Sequence, residues 1–246
     1  MKETVFNIKH IPAILYGEPS NQVYLFVHGK CGYKEEGKNF AQLVCPLGWQ
    51  VLAIDLPEHG ARKGEAGSFD PWHVVPELRA VMVFARQHWS CIALRATSIG
   101  AWFSMLAFSE ETLERCLLLS PVLNMEQLIQ RMMGWAGVTE TQLAQQETIQ
   151  TSFGETLSWR YYQYAKEHPV EHWNVPTAIL YAGQDNLPPR QEAEEFAARF
   201  QCDLTILENG EHWFHTPKQM EALRKWTEEK TGTEQWVCGI RMIKEV

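Results

Sequence analysis

Residues 94–102 read LRATSIGAW and contain one serine, Ser98, which follows the largely apolar run CIALRA at 91–96. A continuous apolar run of this length favours a strand that is covered on both faces, as in a parallel sheet. Residues 100–110 have the length and composition of a helix. The stretch therefore predicts a strand that turns into a helix at Ser98.

Short apolar runs alternate with longer amphipathic ones along most of the chain. The predicted strands are 23–27, 51–55, 91–96, 116–120, 177–182 and 204–208. The predicted helices are 38–48, 74–88, 100–110, 190–200 and 217–230. This alternation indicates βαβ units, whose right-handed crossovers build an open, mostly parallel, doubly wound α/β sheet. Residues 4–17 are expected to add an antiparallel hairpin at one edge.

The segment 122–174 interrupts this alternation because it contains only helix-like sequence. Its predicted helices are 124–135, 139–150 and 156–168. About fifty residues are too many for a simple crossover, so we expect a helical cap inserted between core segments 1–121 and 175–246. The aromatic and methionine side chains of the cap are expected either to pack it onto the core or to line an apolar substrate pocket. The tail 231–246 is expected to form an extra edge strand or a packed extension.

Composition excludes several classes of partner. The 246 residues carry a formal net charge of −8 without a lysine or arginine run, which argues against binding to nucleic acid or anionic lipid. No apolar run approaches the roughly 18 residues of a membrane helix, and the N-terminus lacks a signal sequence, so a cytoplasmic protein is predicted. The six cysteines are far apart in sequence, which favours reduced packing residues over disulfides or metal ligands.

Three polar residues follow predicted strands at the sheet edge where α/β proteins place their sites. They are Ser98, Asp185 and His212. A serine hydroxyl is a weak nucleophile at neutral pH, and it needs an imidazole to accept its proton and a carboxylate to orient that imidazole. All three components are present. The sequence leaves open His215 in place of His212, and Asp203 or Asp55 in place of Asp185.

At these residues the chain resembles the α/β-hydrolase family. Residues 96–100, Ala-Thr-Ser-Ile-Gly, are similar to the small-x-Ser-x-Gly nucleophile elbow of that family, with alanine for the usual first glycine. The chain order Ser98, Asp185, His212 is also that of the family, and the long gap after Ser98 contains the expected cap.

Two loops extend the resemblance to about residues 23–229. Residues 28–32, His-Gly-Lys-Cys-Gly, resemble the H-G-x-x-G loop of the family, which supplies one backbone N–H to the oxyanion hole. Residues 55–60, DLPEHG, resemble its D-x-P-G-H-G turn, with Glu58 where glycine is common. The resemblance implies an α/β-hydrolase fold whose mostly parallel sheet carries a helical cap.

The resemblance also assigns roles to these residues. Ser98 is expected to be the nucleophile, His212 the base and then the acid, and Asp185 the residue that orients His212. The backbone N–H groups of Lys30 and Ile99 are expected to form the oxyanion hole.

The predicted function is a serine hydrolase that cleaves a small-to-medium carboxylic ester through an acyl-enzyme on Ser98, without metal or organic cofactor. Thioesterase, amidase, carbon–carbon hydrolase and acyltransferase use the same triad, and a non-catalytic ligand-binding protein is a further alternative. The only partner predicted is a small ester or other acyl substrate, and the sequence leaves the oligomeric state open.

The side chains of four residues near the predicted site are not assigned to the reaction. His28 and His59 are expected to be hydrogen-bonding residues of their loops. The Lys30 side chain is expected to be solvated, with contact to an anionic substrate as the alternative. Cys31 is either inert or a sensitive thiol near the pocket.

Overall fold

A nine-stranded sheet forms the centre of the computed structural model, which describes residues 1–232 and 238–244. The strands are β1 (Glu3–Ile8), β2 (Ile11–Tyr16), β3 (Gln22–Val27), β4 (Gln50–Ile54), β5 (Cys91–Thr97), β6 (Cys116–Leu119), β7 (Thr148–Gln150), β8 (Thr156–Ser158), β9 (Thr177–Ala182), β10 (Asp203–Leu207) and β11 (Gly239–Ile243). The helices are α1 (Gly37–Val44), α2 (Pro71–His88), α3 (Ile99–Phe108), α4 (Met125–Ala136), α5 (Glu140–Gln146), α6 (Trp159–Glu167), α7 (Arg190–Phe200) and α8 (Pro217–Gly232).

The strand order in the large sheet is β1-β2-β4-β3-β5-β6-β9-β10-β11. The β1–β2 and β2–β4 pairs are antiparallel, and the remaining pairs are parallel. The predicted mostly parallel sheet and its N-terminal edge hairpin are therefore confirmed. After β3 the chain forms β4 on one side of it and then β5 on the other side, so the strand order reverses between β3 and β5. The end of β5, the central strand, therefore lies at the topological switch point where α/β sheets bind ligands.

Two hydrophobic cores cover the two faces of the sheet. Trp102 and Leu78 belong to the core beneath α2 and α3. Phe40 and Trp226 belong to the core beneath α1 and α8. Because both faces are covered, β4, β6 and β9 are buried along their whole length, which explains their largely apolar sequences.

The insertion between β6 and β9 is not entirely helical, contrary to the prediction. The predicted helix 139–150 ends at Gln146, and residues 148–150 pair with residues 156–158 as the antiparallel hairpin β7–β8. Gly154 turns the hairpin at φ 86°, and the backbone of Thr151 receives a hydrogen bond from Gly154. A three-residue strand beside a glycine turn is too short to produce a period that a sequence window detects.

The end of the chain forms an edge strand, one of the two expectations for the tail. Strand β11 pairs in parallel with β10, from Asp203 opposite Gly239 to Leu207 opposite Ile243. Residues 233–237 and 245–246 of the predicted tail lie outside the described residues. Within the described part of the chain, none of the helices combines the length and apolar character that a membrane span requires.

Candidate active site

Ser98 lies in a strained turn between β5 and α3. Its backbone has φ 51° and ψ −125°, a region that non-glycine residues rarely adopt, and its N–H donates to the Leu119 carbonyl at 3.0 Å. A Cβ atom at Gly100 would lie 2.2 Å from the His28 carbonyl oxygen, so only glycine fits there. Gly100, two residues after Ser98, therefore lets the helix begin at once and leaves the serine hydroxyl at the sheet edge.

A continuous hydrogen-bonded chain joins Ser98, His212 and Asp185. The Ser98 hydroxyl lies 2.8 Å from His212 Nε2, and His212 Nδ1 lies 2.6 Å from Asp185 Oδ2. The Asp185 carboxylate is completely buried, and its Oδ1 accepts a hydrogen bond from the Leu187 N–H at 2.9 Å. An ionised carboxylate only accepts hydrogen bonds, so Nδ1 donates and Nε2 is left to accept the serine proton.

The alternative histidine and aspartates that the sequence left open form hydrogen bonds or ion pairs with other residues. His215 is half-exposed and pairs with Glu211. Asp203 accepts from Lys230 at 2.8 Å. Asp55 accepts hydrogen bonds from the backbone and side chain of Lys34 and from the Ala61 N–H, so it stabilises the turn that follows β4. The structure therefore places His212 and Asp185, rather than these residues, next to Ser98.

The loop after β3 lies against the serine turn. A Cβ atom at Gly29 would lie 3.1 Å from Ser98 Cβ and 3.3 Å from the Thr97 carbonyl oxygen, so the glycine allows this close approach. The next residue, Lys30, is thereby brought to the cavity that Ser98 lines. Ile99 is the first residue of α3, and its N–H has no acceptor within the helix. Both predicted oxyanion donors thus belong to segments that flank Ser98.

The His28 side chain forms hydrogen bonds that link this loop to the loop after β4. Its Nε2 accepts from the Leu56 N–H at 3.0 Å, and its Nδ1 donates to the Gly29 carbonyl at 2.7 Å. Burial lowers the pKa of His28 to about 4, with the hydrogen bond to Gly29 opposing the shift. His28 is therefore neutral at pH 7. His59 Nδ1 likewise bonds the Pro57 carbonyl.

Glu58 replaces the glycine that is common at this position of the family turn, and the structure shows how it is tolerated. Its backbone has φ 65°, which favours glycine. Its carboxylate accepts hydrogen bonds from the N–H groups of Ser68 and Phe69 at 2.7 and 3.0 Å. These bonds offset the backbone strain and fix the following loop.

A cavity of about 1950 Å³ opens onto Ser98 and His212. The cap contributes Met125, Leu128, Ile129, Met132, Trp135, Phe153 and Tyr161 to its wall. Other cap residues, such as Met133 and Tyr162, are buried and pack into the core. Cap side chains therefore both pack into the core and line the cavity, and Met125, Leu128 and Ile129 do both.

Two features of the site were not anticipated from the sequence: the ion pair of Lys30 and the place of Arg95 in the cavity wall. The Lys30 ammonium forms an ion pair with Glu155 in the β7–β8 turn, so it connects the loop after β3 to the cap instead of being simply solvated. Arg95 is buried in β5 and lines the cavity. A charged residue inside an otherwise apolar strand was the available signal for Arg95, whereas nothing in the sequence indicates the Glu155 pairing.

All six cysteines have free thiols, and Cys31 is exposed at the cavity wall. Within residues 1–232 and 238–244, no group of three or more histidine, cysteine or carboxylate side chains is arranged to hold a metal ion.

Solved structures with the same architecture identify the fold. Est1E from Butyrivibrio proteoclasticus, solved with ferulic acid, has a TM-score of 0.74 and 19% identity over 92% of this chain and 97% of that chain. The mouse alpha/beta hydrolase domain-containing protein 10 has a TM-score of 0.74 and 12% identity over 94% and 99%. A monoacylglycerol lipase from Paleococcus ferrophilus has a TM-score of 0.68 and 15% identity over 92% and 100%.

No protein-family model and no curated protein sequence matches the chain. The identities to the solved structures are low, so these similarities establish the fold alone. The chain has the α/β-hydrolase fold, as its motifs predict.

Proposed function

We propose that this protein is a serine hydrolase that cleaves a small-to-medium carboxylic ester through an acyl-enzyme on Ser98. The observation that carries the proposal is the hydrogen-bonded chain from Ser98 through His212 to the buried Asp185, at the wall of the large cavity. A protein that only binds ligands has no need for this arrangement, which positions a hydroxyl, a proton acceptor and an orienting carboxylate together.

In the first half of the reaction, Ser98 Oγ attacks the ester carbonyl carbon while His212 Nε2 accepts the hydroxyl proton. Asp185 stabilises the resulting imidazolium through Nδ1. The N–H groups of Lys30 and Ile99 donate to the negatively charged oxygen of the tetrahedral intermediate. The intermediate collapses, the carbon–oxygen bond to the alcohol breaks, and His212 returns its proton to the leaving oxygen.

In the second half, water attacks the acyl carbon and gives a proton to His212. The second tetrahedral intermediate releases the carboxylic acid, and Ser98 regains its proton from His212. The products are one alcohol and one carboxylic acid, and the protein is restored.

The cavity supports an ester substrate with a substantial apolar part. Met125, Met132 and Tyr161 form part of its cap wall, and its volume exceeds that of a typical small-ligand site. The names of two structural neighbours, a Pyrococcus furiosus esterase and a monoacylglycerol lipase, are in accord with ester cleavage. The cytoplasmic location stays a prediction from the sequence.

A panel of p-nitrophenyl esters of increasing chain length tests the proposal. We expect turnover by the natural protein and none above background with Ser98→Ala. Faster turnover of matched thioesters or amides would reassign the bond that is cut. Preferential transfer of the acyl group to an added alcohol or thiol would indicate an acyltransferase, and absence of turnover throughout the panel would favour the ligand-binding alternative.

A further inference from the structure

The cavity extends from Ser98 into a second lobe between α1 and α8, on the side of the sheet away from α2 and α3. Its wall includes Glu36, Asn39, Phe40, Leu43, Arg95 and Leu223, and we call it the Arg95 lobe. The lobe is continuous with the cavity at Ser98, so a ligand bound at the nucleophile can reach it.

Among the described residues, hydrogen-bond acceptors contact only one of the three guanidinium nitrogens of Arg95. Its side chain lies with Cζ 6.0 Å from the centre of the Phe40 ring, and the residue is only 4% exposed. Nη1 donates to the Ala96 carbonyl at 3.0 Å and to Thr97 Oγ1 at 3.2 Å. Among the described residues, neither Nε nor Nη2 has a hydrogen-bond acceptor, and Nε is also buried from solvent.

These two unused nitrogens lie on one edge of the planar guanidinium. Their N–H bonds are nearly parallel, which is the arrangement that a carboxylate engages with both oxygens at once. Nε is closed off from solvent, so a carboxylate reaches this edge at Nη2. There an unused N–H and the positive charge of the guanidinium favour an anion over a neutral carbonyl or hydroxyl.

The charge of Arg95 is not balanced within the fold. No carboxylate oxygen of the described residues lies within ion-pair distance of it, although the field of Glu36 reaches it. Burial lowers the pKa of Arg95 to about 10, since the surroundings disfavour the charged form. A buried cation without a partner is unfavourable unless a ligand supplies the opposite charge.

We propose that the Arg95 lobe binds a carboxylate carried by the substrate, so that the ester cleaved at Ser98 is a half-ester with a free acid group. This inference rests on the proposed function and names its substrate class. The guanidinium reaches Thr97, the residue before Ser98. A strand rises about 3.3 Å per residue, so a spacer of a few methylene groups joins the scissile carbonyl to the acid.

The first test measures binding without turnover, using Ser98→Ala and two ligands that differ at one end. Monobutyl glutarate carries a terminal carboxylate where butyl pentanoate carries a methyl group. By calorimetry, we expect the half-ester to bind at least about tenfold more tightly, because a charge-assisted hydrogen bond to Nη2 is stronger than contact with a methyl group. The preference should disappear in the double variant Ser98→Ala/Arg95→Met. Equal binding of the two esters, or a preference that persists without Arg95, would overturn the proposal.

Two controls separate binding from folding. Arg95→Met removes an unbalanced buried charge and keeps a side chain of similar length, so its melting temperature should equal or exceed that of the natural protein. Glu36→Gln removes the nearest competing negative charge, so it should strengthen half-ester binding. Weaker half-ester binding in Glu36→Gln would contradict an anion site at Arg95.

The same pair of esters distinguishes failure of this inference from failure of the proposed function. Hydrolysis of both esters at equal rates by the natural protein would leave the hydrolase proposal intact and refute the carboxylate site. Selective half-ester binding without hydrolysis of any ester would support the site and refute the hydrolase proposal.

Discussion

The carboxylate of Asp185 is fully buried and lies 2.6 Å from Nδ1 of His212, 27 residues later in the chain. This bond fixes the imidazole tautomer that leaves Nε2 free to accept a proton. Replacing the carboxylate with an amide of the same shape should disturb the tautomer while leaving the packing largely unchanged.

Asp185→Asn is therefore expected to lower kcat by about 10³–10⁴-fold, the scale known for loss of the orienting carboxylate in serine hydrolases. Steady-state kinetics with the best p-nitrophenyl ester measures the effect. His215→Ala is the matched control, because the half-exposed His215 imidazole pairs with surface Glu211 and not with Ser98, so the variant should retain normal turnover. If His215→Ala loses activity and Asp185→Asn does not, the triad is wrongly assigned.

Gly100→Ala is expected to destabilise the fold by at least about 2 kcal/mol, although alanine normally favours helices over glycine. The reason is the new Cβ atom, which would meet the backbone oxygen of His28 at 2.2 Å. Urea denaturation measures the loss in the free energy of unfolding.

Gly134 in α4 provides the matched control for Gly100. A Cβ atom there meets no atom within 4 Å. Gly134→Ala should therefore stabilise the protein, by up to about 1 kcal/mol. Equal effects of the two substitutions would show that the close contact of Gly100 with His28 is absent in solution.

Lys30→Met tests whether the side chain or the backbone of Lys30 serves the reaction. Since only the N–H group is assigned to the oxyanion hole, kcat should stay within about threefold of the natural value, a change in the barrier of less than about 1 kcal/mol. Loss of the partly exposed ion pair with Glu155 should lower the free energy of unfolding by no more than about 1 kcal/mol. A kcat reduced a hundredfold would mean that the ammonium group takes part in the chemistry.

Protonation of His28 should make the fold less stable in acid. Its folded pKa of about 4 lies below the unfolded value of about 6.5, so the unfolded chain binds more protons between these pH values. The contribution of His28 to stability is complete above pH 6.5 and is lost as the pH falls towards 4, by up to about 3 kcal/mol.

The matched variant for this pH effect is His28→Asn. Denaturation of both proteins at pH 7 and pH 5 compares their pH dependence, and the variant should lose less free energy of unfolding over this interval. Identical losses would show that His28 is not the residue responsible.

The sheet and the serine turn were predictable because each depends on local sequence. The order of the three site residues can be read directly along the chain. Apolar runs specify buried strands, and the small residues around Ser98 permit a turn that larger ones would block. The β7–β8 hairpin was missed because its strands are only three residues long and lie within helix-like sequence.

Long-range pairings could not be predicted from local sequence. Lys30 and Glu155 are 125 residues apart, and only the folded cap brings them together. The sequence places a charge in the strand at Arg95, but it does not show that two of the guanidinium nitrogens lack partners. That fact depends on which side chains of α1 and α8 surround the strand.

Labelling with a fluorophosphonate probe tests the central claim most directly, since the probe reacts with a serine only when a neighbouring base activates it. Intact-mass measurement and peptide mapping of the folded protein should reveal a single adduct on Ser98, and Ser98→Ala should remain unlabelled. A folded protein that takes up no probe, or a Ser98→Ala variant that is labelled equally, would refute the assignment of Ser98 as the nucleophile.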